Sequence, residues 1–340
     1  MFRFFCFVLI IWHAVSMAEP VDTQNRKLKI AILRHITVEE AELLSIDSQA
    51  ERMLITEAKS RGHEIQFLDP RQLICSTSSH PSYDVVISRA EIDSFDSHLT
   101  DSYLRALDFF ETLNIPVINS SLSTITAQDK FRTLLLAHKA GISIPKTFLV
   151  YDFEHVKKLL EQDQIQYPFF IKKPYGGCGK SVYKVENARA LSMLVKNFQD
   201  SEPILVQESI DLETDEQGNV RDMRIWVVRD ATTKKAKFVG GSYRTAARGH
   251  YLTNTSAGGV VTPLEEPYDP KIAKMAEQAL EAIEGDVAGI DIARDKKGNL
   301  YLIEVNISFY TGKVFQNVIG INPWKLVLDL VEARANKKAN

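Results

Sequence analysis

The chain has 340 residues, 45% of them hydrophobic and 25% charged, with a formal net charge of -3. This length suits two or three compact units, and the composition is that of an ordinary globular protein. The near-neutral balance excludes a sequence-wide attraction to nucleic acid or anionic lipid, and Cys6, Cys75 and Cys178 share no zinc-ligand or disulfide spacing.

An apolar run over residues 4–12 follows Arg3 and precedes Ser16-Met17-Ala18. It reads either as a secretory signal over residues 1–18, cleaved after Ala18, or as sequence upstream of a start at Met17. The first reading exports the chain and the second keeps it cytoplasmic. The run is too short for a membrane span, so no stable span is expected in the mature chain.

Between residues 27 and 120, KLKIAILR, EIQFLDP, DVVISR and PVIN alternate with helical stretches at 49–61 and 99–113. Apolar runs separated by helices predict an α/β domain with a parallel sheet. Arg34, Arg89 and Glu91 follow strands, at the end of such a sheet where ligands sit, and are candidates for substrate contact.

Residues 121–335 change character. A helix is expected over 126–140, stopped by Gly141. PFFIKK, SVYKV, PILVQE, DMRIWVV, KFVGGSYR, VAGIDIAR and NLYLIEVN read as strands, with helices at about 153–162, 187–198 and 270–284. The pattern predicts a two-lobed α+β domain, with lobes at about 121–206 and 207–335. A last helix starts at Asn322-Pro323.

Two stretches carry chemistry. In FFIKKPYGGCGKSV, Gly176, Gly177 and Gly179 beside Lys180 and Ser181 suit backbone approach to phosphate oxygens. A Walker loop would need glycine where Pro174 stands, and a helix where SVYKV follows. Cys178 lies within this loop and reads as a small packing residue. The second stretch, DVAGIDIARDKKGNLYLIEVN, reads as a hairpin. A two-residue turn at Lys297-Gly298 sets Asp291 opposite Glu304, whereas a turn at Gly298-Asn299 sets it opposite Asn306. Either register converges Asp291, Glu304 and Asn306 on one face as oxygen donors for magnesium; an odd-length loop would break the convergence. The competing reading is a solvated polar sheet face.

Taken in order, AQDKFRTLLLAHKAGISIP, FFIKKPYGGCGKSV, ILVQESID, VRDMRIWVV, GSYRTAARGHYLTNTSAGG, VAGIDIA and LIEVN resemble the ATP-grasp superfamily. They are closest to its RimK-like branch of ribosomal-protein glutamate ligases, with glutathione synthetases as more distant relatives. The resemblance spans Lys27 to the last helix and implies a pre-ATP-grasp, Rossmann-like α/β domain followed by a two-lobed ATP-grasp domain. It implies that Lys130 and Lys172 touch ATP phosphates under the Gly176-to-Ser181 loop and that Gln207 and Glu208 hold adenine. Asp222 and Asn254 become further nucleotide contacts, Arg224 and Arg244 catalytic cations, and Asp291, Glu304 and Asn306 ligands of two magnesium ions, with manganese as a substitute. Leu252 stands where the family carries arginine, Ser308-Phe309-Tyr310 where it carries a serine-proline-glycine turn, and Lys173-Pro174 is an added pair.

The implied reaction is ATP-dependent joining of a carboxylate and an amine through an acyl phosphate, releasing ADP. The partners are then ATP and an amino acid or peptide, with self-association left open. The alternatives are a nucleotide-binding relative without turnover and a kinase that stops at phosphoryl transfer.

Overall fold

The computed structural model describes residues 26–34, 49–73, 75, 76, 78, 81–89, 97–176, 181–195, 203–253, 258–265, 267–307 and 319–339. The expectations for residues 1–18, Met17, Glu91, Gly177, Cys178, Gly179, Lys180, Asn254 and Ser308-Phe309-Tyr310 lie outside the described residues.

The first sheet is parallel, as its apolar runs predict. Its strands β1 (Lys29–Leu33), β2 (Glu64–Leu68), β3 (Val85–Ser88) and β4 (Val117–Ile118) lie in the order β2-β1-β3-β4. Every residue of β3 is buried, which follows from helices on both faces. Tyr103, Leu107 and Phe110 of α2 (Ser97–Thr112) cover Ala31, Leu33 and Val86. Leu54 of α1 (Gln49–Ser60) joins Val327, Leu328 and Val331 of the last helix, here α8 (Pro323–Ala339), against Ile30, Ile32 and Ile87.

A second, antiparallel sheet has the order β5-β8-β6-β7, with β5 (Thr147–Val150), β6 (Phe169–Lys172), β7 (Val182–Val185) and β8 (Ile204–Glu208). Phe169, Ile171 and Val206 pack on Val156 of α5 (Phe153–Glu161) and Leu191 of α6 (Ala188–Val195). Side chains alternate along a strand, so Phe170, Lys172, Gln207 and Thr147 share the opposite face.

The third sheet runs β11-β10-β9-β12-β13 and is antiparallel, from β9 (Arg221–Arg229), β10 (Ala236–Thr245), β11 (Val260–Pro263), β12 (Val287–Arg294) and β13 (Leu300–Asn306). Met223, Ile225, Ile290, Ile292, Leu302 and Val305 form one core with Ile272, Ala276 and Leu280 of α7 (Pro270–Ala282). The edge strand β11 has no counterpart in the sequence reading. Its VVTP is too short and too exposed to leave an apolar signature.

The helix expected over 126–140 is two helices, α3 (Ser121–Gln128) and α4 (Lys130–Lys139). Asp129 takes an extended conformation and its carboxylate accepts from the Arg132 amide at 3.0 Å, capping α4. Ala127 and Ala137 from these helices enter the core of the large sheet.

The β12–β13 hairpin corrects both expected turns. Asp295 N donates to Asn299 O at 2.9 Å, closing a three-residue loop of Lys296, Lys297 and Gly298, with Gly298 at φ +86°. That odd loop alone would turn Glu304 away from Asp291. A bulge restores the register: Ile292 pairs with Leu302 but Asp291 pairs with Glu304, so Ile303 is the extra residue.

The parallel and large sheets are joined where β4 meets β12. The buried Asn119 accepts from the amides of Asp286 (2.7 Å) and Val287 (3.0 Å) and donates to Val287 O (2.9 Å). The Asp286 carboxylate accepts in turn from Arg334 of α8 at 2.6 Å.

Candidate active site

Strand pairing places charges of opposite sign side by side on the open face of the large sheet. Arg244 stands opposite Asp222, and Arg224 opposite Asp291. Arg224 grips Asp291 with two bonds, Nε to Oδ1 at 2.7 Å and Nη2 to Oδ2 at 2.8 Å. Arg244 grips Asp222 in the same fashion at 2.8 and 2.7 Å, and its Nη2 also reaches Asp291 Oδ2 at 3.0 Å. Thr253 Oγ1 donates to Asp222 Oδ2 at 2.7 Å, and Asn306 Nδ2 to Asp291 Oδ2 at 3.3 Å. Bidentate guanidinium-carboxylate contacts fix orientation as well as charge.

The electrostatics follow from this ladder. Burial pushes the Asp291 carboxyl up, but Arg224 and Arg244 outweigh it and hold the group below the usual carboxylate range. Burial pulls Arg244 down, and Asp222 with Asp291 more than reverses it. Both groups are ionised at neutral pH.

A second cluster faces the first from the small sheet. Lys172 Nζ donates to Gln207 Oε1 at 2.6 Å, and burial lowers its pKa to about 8, against the pull of nearby Glu304 and with a push from Lys130. Lys130, the first residue of α4, lies 3.0 Å from Glu304 and also donates to the Gly176 carbonyl. Its backbone amide donates to Pro174 O at 3.0 Å, and Tyr175 OH donates to Asp129 at 3.3 Å, so the start of the glycine loop rests on the break between α3 and α4.

The structure therefore brings together Lys130, Lys172, Gly176, Gln207 and Glu304, and separately Asp222, Arg224, Arg244, Asp291 and Asn306. Glu304 and Asn306, two apart on β13, join the groups. The Glu208 carboxylate is turned to the Lys146 amide (2.7 Å), and Ser181 lends its backbone carbonyl to Lys173 N (3.3 Å). Arg34 and Arg89 lie elsewhere, converging on the buried Glu51 of α1, with Arg89 5.4 Å over the Trp324 ring. Thr253 and Thr147 had no sequence signal, because a threonine in a loop or strand end reads as filler until its partner is known.

A magnesium ion suits this donor set. Among the described residues no point gathers three His, Cys, Asp or Glu side chains. What converges is two carboxylates and an amide, hard oxygen donors that magnesium supplements with water and phosphate oxygens. Asn306 turns its Nδ2 to Asp291, leaving Oδ1 as a donor. Lys130 and Lys172 add positive charge at this end of the site, whereas Arg224 and Arg244 are paired with Asp222 and Asp291.

Comparison with known proteins identifies the family. A RimK-like ATP-grasp domain model matches residues 127–331, and a LysX preATP-grasp domain model matches 48–126. The chain is 33% identical to the coenzyme gamma-F420-2:alpha-L-glutamate ligase of Methanocaldococcus jannaschii, over 72% of this chain and 80% of that one. It is 27% identical to a probable alpha-L-glutamate ligase of Haemophilus influenzae, over 82% and 91% respectively. Solved structures share the fold. A RimK domain ATP-grasp protein from Sphaerobacter thermophilus has a TM-score of 0.60 at 18% identity, covering 92% of this chain and 100% of that one. The D-alanine-D-alanine ligase of Coxiella burnetii has a TM-score of 0.67 at 15% identity, covering 92% and 95%. Among the described residues no helix is long and apolar enough to cross a membrane. The chain belongs to the RimK-like ATP-grasp family of ATP-dependent, ADP-forming carboxylate-amine ligases.

Proposed function

We propose that the protein uses ATP and magnesium to join the amino group of an acidic amino acid to a carboxylate on a peptide or small acceptor, through an acyl phosphate. The observation that carries this reading is the Lys130–Glu304 contact, 3.0 Å between the start of α4 and β13, which sets a phosphate-seeking cation beside a metal-seeking carboxylate. The names of the relatives, glutamate ligases, support the amine substrate.

In this reading Lys130, Lys172 and the glycine loop hold the polyphosphate, and Glu208 lies at the adenine end. Asp291, Glu304 and Asn306 would hold magnesium through their side-chain oxygens. Bound magnesium would supply charge to the phosphate oxygens. Arg224, the more exposed of the two arginines at 23% against 10%, is placed to meet charge developing on the transferred phosphoryl group. Arg244, held by two carboxylates, keeps Asp291 oriented. No side-chain nucleophile is required.

The test is ADP release by the full chain with ATP, magnesium or manganese, and pooled acidic amino acids and peptides. Amide product with ADP is expected. A phosphorylated product without amide would indicate a kinase, and nucleotide binding without ADP release would indicate a non-ligating relative, with Leu252 the first residue to suspect. Glu304→Ala is expected to abolish ADP release while the fold persists; unchanged turnover would remove the metal assignment. The intact mass of native protein decides between a chain cut after Ala18 and one starting at Met17.

A further inference from the structure

Gln207 is 3% exposed, and both ends of its side-chain amide are engaged inside the protein, at Lys172 and at Thr147. Its Oε1 accepts from Lys172 Nζ at 2.6 Å, and its Nε2 donates to Thr147 Oγ1 at 2.8 Å. Thr147 Oγ1 in turn donates to the Pro145 carbonyl at 2.8 Å. The polarity of this chain is fixed by chemistry. A carbonyl only accepts, so the single Thr147 hydroxyl proton goes to Pro145, and the hydroxyl must accept from Gln207. An amide has one donating and one accepting end; with its donating end on Thr147, Gln207 must present oxygen to Lys172.

The strands make the arrangement possible. Thr147 is paired with Gln207 across β5 and β8, and Lys172 lies diagonally from Gln207 across β6 and β8, on the same face. We infer that Thr147 and Gln207 form a positioning relay that aims the Lys172 ammonium at nucleotide phosphate without neutralising it. A carboxylate in place of the amide would pair with Lys172 and consume its charge; an amide turned the other way would set an NH2 group against the ammonium. This inference rests on the nucleotide site proposed above, and it moves the Gln207 side chain from adenine to the phosphate end.

The test compares ADP with adenosine, which lacks phosphate, by calorimetric titration of the full chain. Thr147→Val keeps the β-branched shape and removes the hydroxyl. It is expected to weaken ADP about tenfold, the effect of one hydrogen bond to a charged group, and to leave adenosine unchanged. Thr147→Ser is expected to restore ADP binding. Gln207→Glu should weaken ADP at least as much as Thr147→Val, again sparing adenosine. Wild-type ADP affinity in Thr147→Val, or equal losses for ADP and adenosine, would overturn the relay while leaving the nucleotide site standing. A wild-type chain that binds no ADP would overturn the nucleotide site itself, and the relay with it.

Discussion

The two sheets that face each other across the cleft treat their cations in opposite ways. On the large sheet Arg224 and Arg244 are each met by carboxylate, in a ladder where Asp291 is shared between them. On the small sheet Lys172 is met by a neutral amide. Burying opposed charges fixes geometry at a high desolvation cost, so the ladder acts as a rigid frame for Asp291. An amide fixes position and leaves the charge unspent. One wall is thus suited to orienting a metal ligand and the other to meeting phosphate.

Breaking each wall should give different signatures. Asp291→Ala is the most severe: it leaves two adjacent guanidiniums without their shared carboxylate. A loss of about 3–5 kcal/mol in urea unfolding is expected, with no ADP release. Lys172→Met should do the reverse. Stability should stay within about 1 kcal/mol, since the lost hydrogen bond is offset by removing a desolvated ammonium, while ADP affinity measured without metal falls about tenfold or more. Equal stability losses in both variants would erase the contrast between the sheets.

The same lysine gives two pH trends of opposite sign. Its folded pKa, about 8, lies below its ordinary value of 10.5. Between those values the unfolded chain holds more protons, so the Lys172 contribution raises stability as pH climbs through that window. With the Lys172 ammonium at the phosphates, as proposed, ADP affinity should fall above pH 8, by up to about tenfold per pH unit. Lys172→Met should flatten both trends. A wild-type ADP affinity constant from pH 7 to pH 10 would deny Lys172 its place at the phosphates.

The parallel sheet was legible because a strand covered on both faces, such as β3, leaves a continuous apolar run. The large sheet's β12 was legible to its ends, since seven of the eight residues of VAGIDIAR are buried and leave an apolar run broken only by Asp291. Asp291, Glu304 and Asn306 were correctly grouped on one face, yet the turn that groups them was read wrongly. Two departures from ideal pairing, an odd loop and the Ile303 bulge, cancel each other, and neither has a local signature in KKGNLYLIEVN. The break at Asp129 was hidden for a different reason: aspartate inside an apolar pattern reads as an exposed helix position until its carboxylate is seen capping α4. The Thr147–Gln207–Lys172 relay depends on three strands meeting in register, which no single stretch records.

Gly298 offers the mildest test of the cancelling pair. Its φ of +86° suits glycine, and a Cβ there would meet no atom within 4 Å, so replacement by alanine costs backbone strain alone. Gly298→Ala should lower stability by about 1 kcal/mol. Turnover should be unchanged, because the register of Glu304 is set by the bulge at Ile303, on the active-site side of the loop. A variant that keeps its stability but loses ADP release would mean that the loop, and not the bulge, holds Glu304 opposite Asp291.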